Sequence, residues 1–328
     1  MDMTTFDTKS LKKESRDRLN RISGDPRLLI GLYTGVIVAI NLLVSGLNLA
    51  LDHQIGSTGG LGGLGTRSIL ETIQSILTYA SVIFTPFWSA GFLYCVIRIV
   101  RGDPADPRCL MEGFRRFPSV LLFHVNKLVL TMMIGTTATY LAAIVFMLTP
   151  FSAGLEQLTA QAMEAGNLIL ADGTVNLQVF DPGALVRACI PMLVIFGLLF
   201  LPAYLFLSYS LRLSPYLIMG DQRMGGFACI ANSFRLMRGN RLKMLRLDLS
   251  FWWYYLIDSA LTVILYLDLI LPLMGIELPF NQTVAFFVCL ILYGAAQAAF
   301  YLWKKLPVDT TYVLAYDAVA GTDAPQQD

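Results

Sequence analysis

Long apolar blocks alternate with short polar, basic connections along most of the chain. A helix needs ~20 largely apolar residues to cross ~30 Å of hydrocarbon at ~1.5 Å per residue. Six blocks reach that length: residues 27–51, 77–97, 119–148, 183–208, 245–271 and 283–303. The pattern predicts an all-α protein, a polytopic six-helix transmembrane bundle occupying residues 27–304. Asp25-Pro26 marks the first start, because the carboxylate caps the free amide hydrogens and proline suits the first helical position. Pro118 and Asp181-Pro182 mark the third and fourth starts. The second apolar stretch, Ser68 to Val100, exceeds one upright span. Ile69, Ile73, Ile76 and Leu77 share a face, which predicts an interfacial helical start before the span. Pro86 should kink that helix, and Pro191 and Pro202 should bend the fourth.

The segments between the spans have their own patterns. Residues 1–26 predict a basic amphipathic N-terminal helix, and residues 305–328 a short polar tail. Gly56 to Gly65 reads as a flexible loop; it lacks the Gly-Lys-Ser/Thr ending of a phosphate cradle. In the external segment 149–182, Leu155, Leu158, Ala162 and Met163 predict a short amphipathic helix. Asp172-Gly173 then lies between β-prone runs (Leu168 to Val179), the signal for a small external β-hairpin, with an irregular loop as the alternative.

Charge orients the bundle. Of the 24 lysines and arginines, 21 lie in four places: the N-terminal segment up to Arg27, the connection Arg98–Arg116, the connection Arg212–Arg246, and Lys304-Lys305. Arg67, Lys127 and Arg187 are the exceptions. Cations are retained on the cytosolic side, so all four segments are expected there, N-in and C-in, with an even number of spans and short cytosolic amphipathic helices.

Composition agrees with a membrane chain. Hydrophobic residues make up 55%, charged residues 14%, and the mean hydropathy is +0.61; a soluble domain carries about 25% charge. One bundle is therefore expected in place of the two soluble domains that 328 residues would allow. A net charge of +1 suggests no nucleic-acid partner. The first apolar block is long enough to act as an uncleaved anchor. Cys95, Cys109, Cys189, Cys229 and Cys289 are scattered and odd in number, neither a disulfide framework nor a metal site. No cofactor is expected. With only His53 and His124, a His-Glu-x-x-His protease is excluded, and no nucleophile elbow or Walker motif occurs. The chain is not expected to be an enzyme.

Ionisable groups within a span are costly and hence candidates for function. Asp258 lies about 12–13 residues into the fifth block, which at helical rise is ~18–20 Å deep, near the midplane. Lys127, with His124 and Asn126 nearby on the third span, can pair with a carboxylate or extend to the headgroups. Asp248, Asp258 and Asp268 are spaced so that neighbours fall ~80° off a common face and ~15 Å apart, so they form no carboxylate pair by themselves. Asp258 is thus either structural, protonated and hydrogen-bonded or paired with Lys127, or part of a transport path. At the cytosolic end, Arg235, Arg238, Arg241, Lys243 and Arg246 are candidate contacts for anionic lipid headgroups; ordinary anchoring by positive charge is the alternative.

Two connections look alike. Gly102-Asp103 precedes Gly113-Phe114-Arg115-Arg116-Phe117, and Gly220-Asp221 precedes Ser233-Phe234-Arg235. A worn repeat of two three-span halves would explain this, as would any pair of basic juxtamembrane helices.

The stretch Ala231 to Phe251 is the most distinctive. It resembles a bacterial membrane family known as domain of unknown function 975. Ser233, Leu236, Met237, Gly239, Asn240, Leu247, Leu249, Ser250 and Phe251 match that family's pattern, with Met244 or Leu245 where an aromatic is common. The basic helix Leu11–Leu19, the Gly-Phe-Arg-Arg-Phe connection and Ala299-Phe300-Tyr301 are similar to it as well. The resemblance implies a multi-pass protein of the bacterial plasma (inner) membrane and supplies no activity. The expected function is a non-catalytic integral membrane protein with an envelope-organising or accessory role. Its partners would be the bilayer and anionic lipids, with protein partners unknown. The alternative is a small-molecule or proton-coupled transporter with a path near Asp258 and Lys127.

Overall fold

A computed structural model describes residues 7–21, 25–57, 64–104, 106–164, 182–220, 224–267, 270 and 282–321. Among these every regular element is helical: α1 (Thr8–Leu19), α2 (Pro26–Ser57), α3 (Leu64–Val100), a 3₁₀ turn (Pro107–Met111), α4 (Glu112–Arg115), α5 (Phe117–Met147), α6 (Ser152–Glu164), α7 (Pro182–Ser210), α8 (Ser214–Met219), α9 (Gly226–Leu236), α10 (Arg241–Ser250), α11 (Trp252–Leu265) and α12 (Gln282–Gly321). The β-hairpin expected at 168–179 lies outside the described residues.

Among the described residues, five stretches are long and apolar enough to cross a membrane: Pro26–Leu51, Ser68–Val100, Phe117–Met147, Arg187–Met219 and Val284–Gly321. The remaining expected span, the fifth block at 245–271, is broken. Phe251 leaves the helical region (φ −113°, ψ 17°) and its amide donates to the Asp248 carbonyl, which closes α10 before α11 begins. The 14 residues of α11 rise only ~21 Å. The second block lies in one continuous helix, α3, of 37 residues that carries Pro86 in its interior.

The last helix also differs from its sequence pattern. It runs through Pro307 to Gly321, whereas hydropathy ended it at Trp303 and left a tail. Val308, Tyr312, Ala315 and Val319 recur at helical spacing and are all buried, so this length is held by packing rather than by uniform apolarity.

Several caps follow the sequence. Asp25 accepts from the Arg27 amide at 2.9 Å and opens α2. Asp7 accepts from the amides of Lys9 and Ser10 and opens α1. Gly239, at φ +86°, supplies the left-handed residue after α9. Asn240, a residue type suited to capping, does not cap α10 with its side chain; its Nδ2 donates back to the Leu236 carbonyl at 2.9 Å.

The chain forms two compact units, Met1–His124 with Arg212–Asp328, and Val125–Leu211. This division is not the pair of three-span halves that a repeat would give, and Gly102 (φ +95°) and Gly220 (φ −67°) also differ in backbone.

In the first unit the core gathers along the C-terminal half of α3 and the C-terminal part of α12. Phe87, Phe92, Val96, Ile97 and Val100 of α3 are buried, as are Leu29 and Ile30 of α2, Leu213 and Met219 near α8, and Met244 and Leu247 of α10. Two glycines permit the closest approach. A Cβ on Gly91 would overlap the Leu110 carbonyl, and one on Gly113 would overlap that of Phe87. Glycine at both positions lets α4 and its preceding turn lie directly on the α3 backbone. Phe114 then packs among Phe84, Phe87 and Trp88, with ring centroids 5.3, 5.8 and 6.4 Å away.

The second unit holds most of α5, with α6 and α7. Ala138, Ala142 and Phe146 are buried, and Phe196, Phe200 and Tyr204 stack at successive turns of α7. Met132, Met133, Tyr140 and Ile144 of α5, and Leu193, Leu198, Leu201 and Phe206 of α7, are exposed. Continuous exposed apolar rows of this length suit a hydrocarbon solvent. The amphipathic helix expected in the 149–182 segment is α6.

Candidate functional site

The residues singled out on the spans fall in both units, and each is described within its own. His124 turns its Nδ1 to the Val120 carbonyl of its own helix, 2.8 Å away, and meets the Phe123 ring edge-on. Asn126 is half-buried and Lys127 exposed, both in the second unit. Asp258 is half-buried in the first unit, on α11. Because α11 starts at Trp252, Asp258 lies about 9 Å along it. Tyr301 and Lys305 lie within electrostatic reach of Asp258, and its Oδ1 is buried with no hydrogen-bond partner among the described residues.

Two charge clusters that the pattern did not reveal occupy the first unit. In one, Arg212 pairs with Asp248 at 2.8 Å and lies over the Tyr312 ring at 4.8 Å. The Tyr312 hydroxyl donates to the same carboxylate at 2.5 Å and meets the Tyr255 hydroxyl at 2.6 Å. In the other, Lys305 pairs with Asp309 at 3.1 Å inside a cage of the Tyr33, Phe92 and Tyr301 rings, each about 5 Å from Nζ. Buried charges need such partners, because removal from water costs several kcal/mol per ion. Charge at 248, 305 and 309 was visible in the sequence. The pairing was hidden because 305 onward read as tail.

The basic segments converge on α1. Its Lys12 Nζ donates to the Ser250 carbonyl at 2.7 Å, at the end of α10, and rests on the Phe251 ring. Ser15 donates to the Pro307 carbonyl at 3.0 Å, and Arg18 to the Val100 carbonyl at 2.6 Å, at the end of α3. Arg116 donates to the carbonyls of Ile218 and Gly220 after α8. Unpaired carbonyls at helix ends are thus satisfied by cations from distant parts of the chain. Beside α1, Lys12, Arg16, Phe251, Trp253 and Lys304 frame a cavity of about 180 Å³. Burial and the Arg16 charge together lower the pKa of Lys12.

Of the expected headgroup contacts, Arg235, Arg238, Lys243 and Arg246 are exposed around the α9–α10 turn, and Arg241 is half-buried. Burial pushes the Cys229 thiol up to about 11, so it stays protonated and inert. Among the described residues no group of three or more His, Cys, Asp or Glu is placed to hold a metal.

No curated protein and no solved structure is significantly similar to the chain. Residues 3–302 match the family described as "Protein of unknown function (DUF975)". That match spans nearly the whole chain and includes the Phe251 break, the Gly239 cap and the Gly113 contact. This helical protein, with its five apolar membrane-length helices, therefore belongs to the DUF975 family.

Proposed function

We propose that the protein is a non-catalytic, six-pass protein of the bacterial plasma membrane, with both termini in the cytosol, that organises or assists the envelope through its basic cytosolic face. The observation that carries this reading is the meeting of the cation-bearing segments in one unit. Lys12 reaches Ser250, Ser15 reaches Pro307, Arg18 reaches Val100, and Arg116 reaches Gly220. Segments that touch share a side of the membrane, so an even number of crossings separates them. Helices α2 and α3 supply two, and α5 and α7 two more. Helix α12 alone would leave the last number odd, so the sixth crossing is assigned to the chain between Ser250 and α12. The gathered arginines and lysines make that face cytosolic.

Internal pairing supports a structural role for the buried charges. Asp248 is taken up by Arg212 and Tyr312, and Asp309 by Lys305. A transport path through Asp258 and Lys127 has less support, since Lys305 lies within electrostatic reach of Asp258 and Lys127 is exposed. Cysteines introduced singly at Ser57, Tyr266 and Arg246 test the topology with a membrane-impermeant maleimide on intact cells. The native cysteines are buried or half-buried and give little background. Labelling at 57 and 266 but not 246 is expected; labelling of 246 from outside refutes the topology. Proton-coupled flux into proteoliposomes that is abolished by Asp258→Asn would overturn the non-transport reading.

A further inference from the structure

The cavity beside α1 differs from five ion-paired places among the described residues. In these the cation has a carboxylate: Arg18 has Glu14, Arg98 has Asp103, Arg116 has Glu112, Arg212 has Asp248, and Lys305 has Asp309. Around this cavity stand Lys12, Arg16 and Lys304, and no aspartate or glutamate is among the residues that line it. Three cations on a concave surface repel one another. An external anion removes that repulsion and gains charge-assisted hydrogen bonds from all three.

We propose that this cavity binds a phosphate group, carried either by an anionic phospholipid or by free phosphate. Ser15 and Thr311 also line it, but both hydroxyls donate to the Pro307 carbonyl, so the donors are the three cations. Lys12 uses one N–H on Ser250 and keeps two. Lys304 is held in place by the Trp303 ring at 3.8 Å and the Trp253 ring at 5.6 Å. The volume is several times the ~30 Å³ share of one water. The remaining lining is apolar, from Phe251, Trp253, Pro307 and Val308, which suits the glycerol and upper chain of a lipid below its phosphate. Trp252 and Trp303 stand exposed beside it, the residue type that marks the membrane–water boundary. The lipid source rests on the membrane topology proposed above; the phosphate chemistry does not.

The full chain in neutral detergent is titrated with short-chain phosphatidylglycerol, phosphatidylcholine and inorganic phosphate, with thermal midpoint as the readout. Phosphatidylglycerol is expected to raise the midpoint and phosphatidylcholine to leave it near its starting value. Arg16→Gln with Lys304→Gln should weaken phosphatidylglycerol binding on the order of thirtyfold, since two cations near the headgroup are lost. Arg235→Gln with Arg238→Gln, on the exposed turn, should not. These test residues cap no helix, so a folded variant is expected; Arg16→Gln alone, on an exposed side chain, serves if the pair does not fold. Saturation by millimolar inorganic phosphate to the same midpoint would identify free phosphate as the source. Wild-type affinity for both ligands in the Arg16/Lys304 variant would overturn the proposal, and so would equal stabilisation by phosphatidylcholine.

Discussion

Gly113→Ala against Gly35→Ala sets the same atoms in opposite surroundings. At Gly35 a Cβ meets nothing within 4 Å, so the only change is the better helix propensity of alanine, neutral to about 1 kcal/mol stabilising. At Gly113 a Cβ would overlap the Phe87 carbonyl and lie 2.7 Å from the Gly91 nitrogen, both backbone atoms that no rotamer can move. Against an ordinary contact of 3.4 Å, α4 must retreat from α3 by more than about 1 Å to clear the Phe87 carbonyl. A gap of that size forfeits a quarter or more of the dispersion energy on the affected face, about 1–1.5 kcal/mol for a side chain as large as Phe114. Strain in a packed interior adds ~1–3 kcal/mol, and alanine's propensity returns ~1 kcal/mol. The net loss is about 2 kcal/mol, a fall in midpoint of roughly 4–8 °C. Trp88 lies 6% exposed beside Phe84 and Phe114, so thermal melts followed by tryptophan fluorescence report on this contact directly. Equal midpoints for the two variants, or a rise for Gly113→Ala, would refute the backbone contact.

Three further outcomes follow from the charge clusters and the buried thiol. Lys305→Met strands the Asp309 carboxylate and should cost about 3–5 kcal/mol, while Lys305→Met with Asp309→Leu should recover most of it in a double-mutant unfolding cycle. The lowered Lys12 pKa means that the unfolded chain binds this proton more tightly, so the penalty holds below the folded pKa and fades as pH rises from there to the unfolded value of 10.5. A stability increase over that alkaline window, absent in Lys12→Met, is expected in pH-dependent melts; phosphate in the adjacent cavity should shrink it. Cys229, raised to about 11 by burial, should resist iodoacetamide at pH 8 until the protein unfolds, as peptide mass spectrometry would register.

Periodicity and charge were sufficient for the features that depend on local chemistry. Asp25 as cap, Gly239 as left-handed terminator, α6 as an amphipathic helix and the clustering of cations could all be read from neighbouring residues. The break at Phe251 could not, because hydropathy averages over a turn and is blind to one residue leaving the helical region. Residues 305–321 were misread for the opposite reason. Lys305, Asp309 and Asp317 lower the average while Val308, Tyr312, Ala315 and Val319 still form a buried stripe. With that helix cut short, Lys127 stood as the cation offered to Asp258, although Lys305 is the one beside it. Arg212 and Asp248 pair across 36 positions, a distance over which sequence spacing carries no geometric information.

The grip of α1 has a consequence for biosynthesis. Its ligands, Ser250 and Pro307, lie 238 and 292 positions downstream of the residues that bind them. At a synthesis rate of ~5–20 residues per second, α1 waits roughly 15–60 s for the last of its contacts to be made. During that interval the Arg18–Val100 bond, spanning 82 positions, is the contact made early, and Lys12 and Ser15 await theirs. A chain that stalls before the final helix therefore exposes this helix as a standing mark of incompleteness, accessible to proteases until Pro307 arrives.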